Sequence, residues 1–327
     1  QLGQTDEAVV QFEKSIELDP KDHETHFRLA NLRIYLKEYP EAIESLTNTI
    51  KNYEPEEPSD PNDFINGYLI RADTRIKLAG EEDTTPEERE KLFEQVLEDT
   101  TFILDEYPDR DAEVGNALYF QGTSMRMLMR YGEAIKALTE AIQLAPGGAA
   151  PYTGEAFLKR GVCWLKQGEP DLARRDFEQA AALNYEDPLP YLWIGFTHAY
   201  EEDYRKAIES YGEAIAKNSR QTSAFVNRGL AYMQEQGYKR AVDNFNEAIR
   251  LEPNESEHFY KRGIAYMWLE DYDKAFSSFE LAVLYNDKSE KAFRAGARAL
   301  RELDRGSLAD EYESRARALE SQSETSS

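Results

Sequence analysis

From residue 154 onward, large and small apolar residues return to the same places every 34 residues. Counting from the start of each such block, the fourth place holds Phe157, Tyr191, Phe225 and Phe259, and the eighth holds Gly161, Gly195, Gly229 and Gly263. The twentieth holds Ala173, Ala207, Ala241 and Ala275, the twenty-fourth Phe177, Tyr211, Phe245 and Phe279, and the twenty-seventh Ala180, Ala214, Ala248 and Ala282. Spacings of three and four place these residues on one face of an α-helix, so each block predicts two helices, A and B, joined by a short turn. Small residues at the eighth, twentieth and twenty-seventh places let two helix backbones approach closely, and the aromatic at the twenty-fourth fills the gap between them. A glycine inside a helix costs about 1 kcal/mol against alanine, so its recurrence points to packing that offsets the cost.

The pattern extends in both directions with looser spacing. Residues 115–153 carry Leu118, Gly122, Tyr131, Ala134, Leu138, Ala141 and Pro146, followed by extra residues around Gly147 and Gly148. Residues 23–63 carry Leu29, Ala30, Tyr39, Ala42 and Leu46, and 64–114 read as a further pair whose connection is stretched by residues 80–86. Residues 1–22 match the middle and end of a block that lacks its first helix, which suggests a chain cut in mid-repeat. At the other end, 290–319 form a last pair with Phe293, Gly296, Ala297, Leu300, Ala309, Tyr312 and Ala316 beneath a charged outer face, as a terminal cap requires. The tail, 320–327, reads as disordered because it is too polar to order itself.

A period of 34 with this arrangement resembles the tetratricopeptide repeat, a helix-turn-helix unit. The resemblance implies an all-α fold, a right-handed superhelix or α-α solenoid, forming one array over residues 1–319 with units 1–22, 23–63, 64–114, 115–153, 154–187, 188–221, 222–255, 256–289 and 290–319. It implies as well that the A helices line a concave groove that holds an extended or helical peptide. One subclass of the family grips a chaperone's terminal carboxylate with a set of lysine, asparagine and arginine side chains. Here the corresponding places in the blocks starting at 188, 222 and 256 hold Leu192, Phe196, Asn227, Glu257 and Lys261, and only the asparagine and one base agree, so that ligand is rejected.

Instead the groove places are rich in apolar and aromatic residues, with Leu158, Val162, Leu192, Val226, Leu230, Ile264, Met267 and Trp268 among them. The candidate site set is Tyr119, Phe120, Arg126, Lys159, Trp193, Phe196, Tyr200, Asn227, Tyr260 and Lys261. Aromatic anchors with scattered hydrogen-bonding groups suit a protein or peptide partner with an apolar or amphipathic segment. The competing reading is that many of these side chains only pack repeat on repeat.

Composition narrows the functions. The net charge of −24 is concentrated upstream: residues 1–114 hold 12 basic against 30 acidic residues, and 115–327 hold 27 against 33. Such a balance disfavours nucleic acid, whose phosphates need neutralising cations. Acidic clusters in 52–63 and 80–88 read as solvated loops, with a basic partner or an occupied groove as alternatives. No apolar run is long enough to insert in a membrane and no signal peptide is visible, so the cytoplasm is the favoured compartment. Cys163 reads as a small buried hydrophobe, and His23 and His26 lack companions for a metal site. Asn254-Glu255-Ser256 matches a glycosylation triplet that often arises by chance. Phosphate-loop, nucleophile-elbow and zinc-protease motifs are missing, so we expect no enzyme and no cofactor. The expectation is a non-catalytic interaction scaffold. Two alternatives stand beside it: a regulatory or substrate-presenting arm of a larger enzyme or secretion or assembly machine, and a scaffold that self-associates through its N-terminal half repeat.

Overall fold

A computed structural model of the chain describes residues 2–53, 62–145, 150–184 and 186–324. Among the described residues every regular element is helical, and contacts divide the chain into two compact units, Gln1–Leu183 and Asn184–Ser327. The first unit holds α1 (Leu2–Leu18), α2 (His23–Tyr35), α3 (Tyr39–Asn52), α4 (Asn62–Ala79), α5 (Pro86–Glu106), α6 (Asp111–Met127), α7 (Tyr131–Leu144), α8 (Thr153–Lys166) and α9 (Pro170–Leu183). The second holds α10 (Pro188–Tyr200), α11 (Tyr204–Lys217), α12 (Thr222–Gln234), α13 (Tyr238–Leu251), α14 (Ser256–Trp268), α15 (Tyr272–Tyr285), α16 (Glu290–Glu302) and α17 (Gly306–Glu324). Apart from α1, which packs on α2, the helices form antiparallel pairs, with the even-numbered helix as A and the odd-numbered one as B. Successive A helices also touch, α4 with α6 and α6 with α8 in the first unit, and α10 with α12 and α14 with α16 in the second.

Seven of the A helices end in the same way. The second residue past each end takes a left-handed conformation: Lys37, Met129, Gly168, Glu202, Gln236, Glu270 and Asp304, with φ between 56° and 81°. The next amide then bonds a carbonyl five residues back, as in Glu169 to Trp164 (3.0 Å) and Gly237 to Tyr232 (2.8 Å). This closure satisfies the last carbonyls of helix A and turns the chain into helix B. Only Gly168 is the residue such a conformation favours; the other six accept about 1 kcal/mol of backbone strain each.

Inside each pair, the expected fit of small against large is present. A β-carbon placed on Gly161, Gly195, Gly229 or Gly263 would stand 2.5 to 2.7 Å from the ring of Phe177, Tyr211, Phe245 or Phe279, distances no real contact tolerates. Those rings are almost completely buried, and Ala173, Ala207, Ala241 and Ala275 beside them have no exposed surface.

A second lock was not anticipated. Arg160 of α8 forms a bidentate pair with Asp176 of α9 (2.7 and 2.8 Å) and donates to Thr139 of the preceding α7 (3.0 Å). Arg262 repeats the arrangement with Ser278 of α15 (3.1 Å) and Asn246 of α13 (3.0 Å), and Arg71 with Asp99 of α5 and Thr47 of α3. Arg228 holds Asn244 at 2.8 Å. Each guanidinium also lies over an aromatic ring of its own helix, 5.2 to 5.7 Å from the centroid of Tyr68, Phe157, Phe225 or Phe259. These arginines explain why Asp99, Asp176, Asn244 and Ser278 are buried: each satisfies a polar group that would otherwise be costly in the core.

Three expectations need adjusting. The tail is not disordered from residue 320, because α17 continues to Glu324; Glu320 reaches Arg294 (3.1 Å) and the Ser321 hydroxyl donates to the Ala318 carbonyl (2.9 Å). Residues 325–327 lie outside the described residues. The third A helix, α6, starts at Asp111 rather than 115, with Asp111 and Glu113 in the first turn, where carboxylates favour a helix N-terminus. The acidic stretch 80–88 is only half a loop: Thr85 and Glu88 form a reciprocal capping box that starts α5 at Pro86. Of the acidic stretch 52–63, residues 54–61 lie outside the described residues, as do 146–149 with Gly147 and Gly148.

Candidate functional site

The ten candidate residues fall in both units. In the first, Tyr119 and Phe120 lie on α6 and are half-buried. Tyr119 donates its phenol to Glu155 (2.6 Å), and the Lys159 ammonium donates to the phenol oxygen (2.9 Å) while lying 5.1 Å from the ring centroid. Burial, reinforced by the Glu155 carboxylate, pushes the Tyr119 phenol far above its ordinary pKa. Burial alone would raise Glu155 too, but the bonds from Lys159 and Tyr119 hold it below the usual carboxylate range. Phe120 packs against the cluster of Ile65, Leu69, Ile103 and Ala117. The structure therefore brings Tyr119 and Lys159 together as an internally satisfied group. Arg126 is half-buried, and its Nε has no partner among the described residues.

In the second unit, α10 carries Trp193, half-buried and edge-on to Phe196 at 5.8 Å, with Phe196 and Tyr200 exposed. Asn227 of α12 is half-buried. Tyr260 and Lys261 sit where α12, α14 and α16 open into two clefts. The first, about 610 Å³, lies between α12 and α14 and is lined by Leu230, Met233, Tyr238, Tyr260, Ile264 and Trp268, among others. The second, about 490 Å³, lies between α14 and α16; Tyr260, Ile264, Met267 and Trp268 face Lys291, Arg294 and Arg298 across it. Tyr260, Ile264 and Trp268 are four residues apart, so they form one ridge along α14 that walls both clefts. Trp268 is 62% exposed and stacks on Tyr238 at 5.6 Å, which holds its ring in place without covering it.

Polar groups frame the ridge. Glu257 accepts from Lys261 (2.6 Å) and from Lys291, whose ammonium lies 4.7 Å from the Tyr260 ring centroid. Burial would raise the Glu257 carboxyl, but the two ammonium groups together hold it below its ordinary value, so it stays ionised and paired. Arg294 bonds Glu290 (2.6 Å) and Glu320.

Of the candidates, only Tyr260 and Lys261 line these clefts. Trp268, Ile264, Met267 and Leu230 belonged to the wider apolar group in the sequence, but Tyr238, Lys291, Arg294 and Arg298 were missed. Tyr238 opens a B helix, and the three bases belong to a pair whose charges read as a solvated cap; nothing in their own sequence marks them as cleft walls.

Family models described as tetratricopeptide repeat match residues 1–22, 12–44, 128–189 and 226–292, together more than half of the chain. The chain is a tetratricopeptide-repeat protein. Over 88 residues, 27% of the chain, it is 33% identical to human Tetratricopeptide repeat protein 13, and this match spans only 10% of that relative's length. Among solved structures, Pseudomonas aeruginosa PilF superposes with a TM-score of 0.52 at 18% identity, covering 62% of this chain and 90% of PilF. A double mutant of RS-1 MamA gives 0.50 at 20% identity, covering 53% and 97%. At such identities these likenesses concern the fold, and they agree with the all-α solenoid expected from the repeat. Tetratricopeptide repeats are in general non-catalytic scaffolds for protein interaction. Among the described residues, no helix is long and apolar enough to cross a membrane.

Proposed function

We propose that this tetratricopeptide-repeat protein is a non-catalytic scaffold that holds a peptide or helix of a partner protein on the A-helix face of its second unit, along α12, α14 and α16. The observation that carries this reading is the Tyr260, Ile264 and Trp268 ridge, which leaves an exposed tryptophan between two open clefts. Rigid aromatic side chains of this kind supply contact area at low entropic cost, and interface energy concentrates on them. The bases and amide groups beside them can pair with the polar edge of an amphipathic segment.

The test is a pull-down from cell extract with three proteins of equal helicity: wild type, a Tyr260→Ala/Trp268→Ala variant, and a Tyr35→Ala variant altered at an exposed aromatic of the first unit. Retention of a protein by wild type and Tyr35→Ala, with its loss from the ridge variant, supports the proposal. If the ridge variant retains every partner of the wild type, the binding surface lies elsewhere.

A further inference from the structure

We infer that the segment held by these clefts is acidic as well as apolar: a partner helix or strand whose apolar side chains cover the α14 ridge and whose side-chain carboxylates face α16. The inference rests on the peptide-binding reading above and specifies its ligand.

The argument starts from an imbalance of charge. The chain carries 63 acidic against 39 basic residues, yet the second cleft is lined by Lys291, Arg294 and Arg298 against Glu290 alone. Arg298 is exposed and makes no hydrogen bond or ion pair among the described residues, so its charge is available to a ligand. The first cleft differs. Its charged lining residues, Glu257 and Lys261, already pair with each other, and the one charged side chain of α12, Arg228, is engaged with Asn244 on α13. Charge across the site therefore runs from neutral and apolar at α12 to basic at α16. A ligand of matching polarity would place its apolar side against the ridge and its acidic side against α16, and like charge would repel a basic one.

The arrangement of the bases also selects their counterpart. Residues 291, 294 and 298 follow helical spacing along one face of α16 and span about 10 Å of it. A row of cations of that length matches several side-chain carboxylates along a segment better than a single terminal carboxylate, which one pair of bases would satisfy. Lys291 is partly committed to Glu257 and Arg294 to Glu290 and Glu320, which leaves Arg298 as the base whose removal disturbs the ligand most and the fold least.

The experiment is selection from a random peptide library displayed on phage, with each peptide's C-terminus joined to the coat protein so that only side-chain carboxylates are offered. Selection is run on the full chain as wild type, Arg298→Glu, Arg298→Lys and Tyr260→Ala/Trp268→Ala, each checked for unchanged helicity and melting. The expected result is enrichment on wild type and Arg298→Lys of peptides that combine aromatic or aliphatic residues with Asp or Glu. A selected peptide, made synthetically and followed by fluorescence anisotropy, should bind Arg298→Glu at least about fivefold more weakly and lose affinity as salt is raised. Enrichment of apolar peptides without acidic residues, sensitive to the ridge variant but indifferent to Arg298→Glu, would overturn this inference and leave the groove reading standing. Enrichment of the same peptides on the ridge variant, or none on wild type, would remove the groove reading and this inference with it.

Discussion

Alanine in place of Gly263 tests the central packing device of the fold. The new methyl group would stand 2.5, 2.7 and 2.9 Å from three atoms of the Phe279 ring, against roughly 3.4 Å for an ordinary contact, and the ring has no exposed surface through which to move away. Overpacking of this kind costs about 1–3 kcal/mol, while alanine returns up to about 1 kcal/mol of helix propensity. The net expectation is a loss of about 1–2 kcal/mol. Gly212, inside α11, supplies the control, since an added methyl there meets only the Arg228 guanidinium at 3.6 Å. Gly212→Ala should gain about 0.5–1 kcal/mol from propensity alone. At about 3 °C per kcal/mol for a unit of this size, thermal melting followed by circular dichroism should separate the two variants by about 5–9 °C. At the equivalent places of the α2 and α3 pair the chain carries Ala30 and Leu46, both fully buried. Gly263→Ala/Phe279→Leu should therefore recover part of the loss. The reasoning is refuted if Gly263→Ala melts at or above the wild-type temperature, for then the glycine is not held by close approach of the ring.

The arginine lock should be graded by the charge of its partner. Arg160→Ala strands the buried Asp176 carboxylate and is expected to cost about 3–5 kcal/mol, whereas Arg262→Ala strands only hydroxyl and amide partners and should cost about 1 kcal/mol; equal losses in urea titrations would contradict this. In the first unit, the Tyr119 phenol has its pKa raised on folding, so its contribution is complete below the ordinary tyrosine value of 10.0 and is lost as pH rises beyond it. Melting temperatures measured through that alkaline range should fall more steeply for wild type than for Tyr119→Phe. Burial pushes the Cys163 thiol up to about 11, and the side chain has no exposed surface, so a disulfide reagent at neutral pH should label it only at the rate of unfolding. Rapid labelling in native buffer would show that α8 opens locally.

The repeat itself was legible because its physics is local. Gly161 and Phe177, or Gly263 and Phe279, sit sixteen residues apart in every regular block, and only a helix-turn-helix pair brings such residues face to face, so periodicity alone determined fold class, helix pairing and most of the core. Even the irregular pair formed by α4 and α5 could be read through its stretched connection. The left-handed turn residues were not readable, since Gln236 rather than the adjacent Gly237 takes the positive φ, and the hydrogen bonds of the closed turn impose it. Nor were the arginine locks, whose partners vary among Asp, Asn, Ser and Thr and lie partly on the preceding pair.

For the candidate site, repeat position told which side chains look toward the A-helix face but not which remain open there. That depends on how far apart neighbouring helices stand and what each side chain finds beside it. Tyr119 and Tyr260 occupy the same place in their repeats, yet Tyr119 is consumed by Glu155 and Lys159 while Tyr260 walls two clefts. Local spacing sets the direction of a side chain; only the assembled neighbours decide whether it is filled, paired or left free to bind.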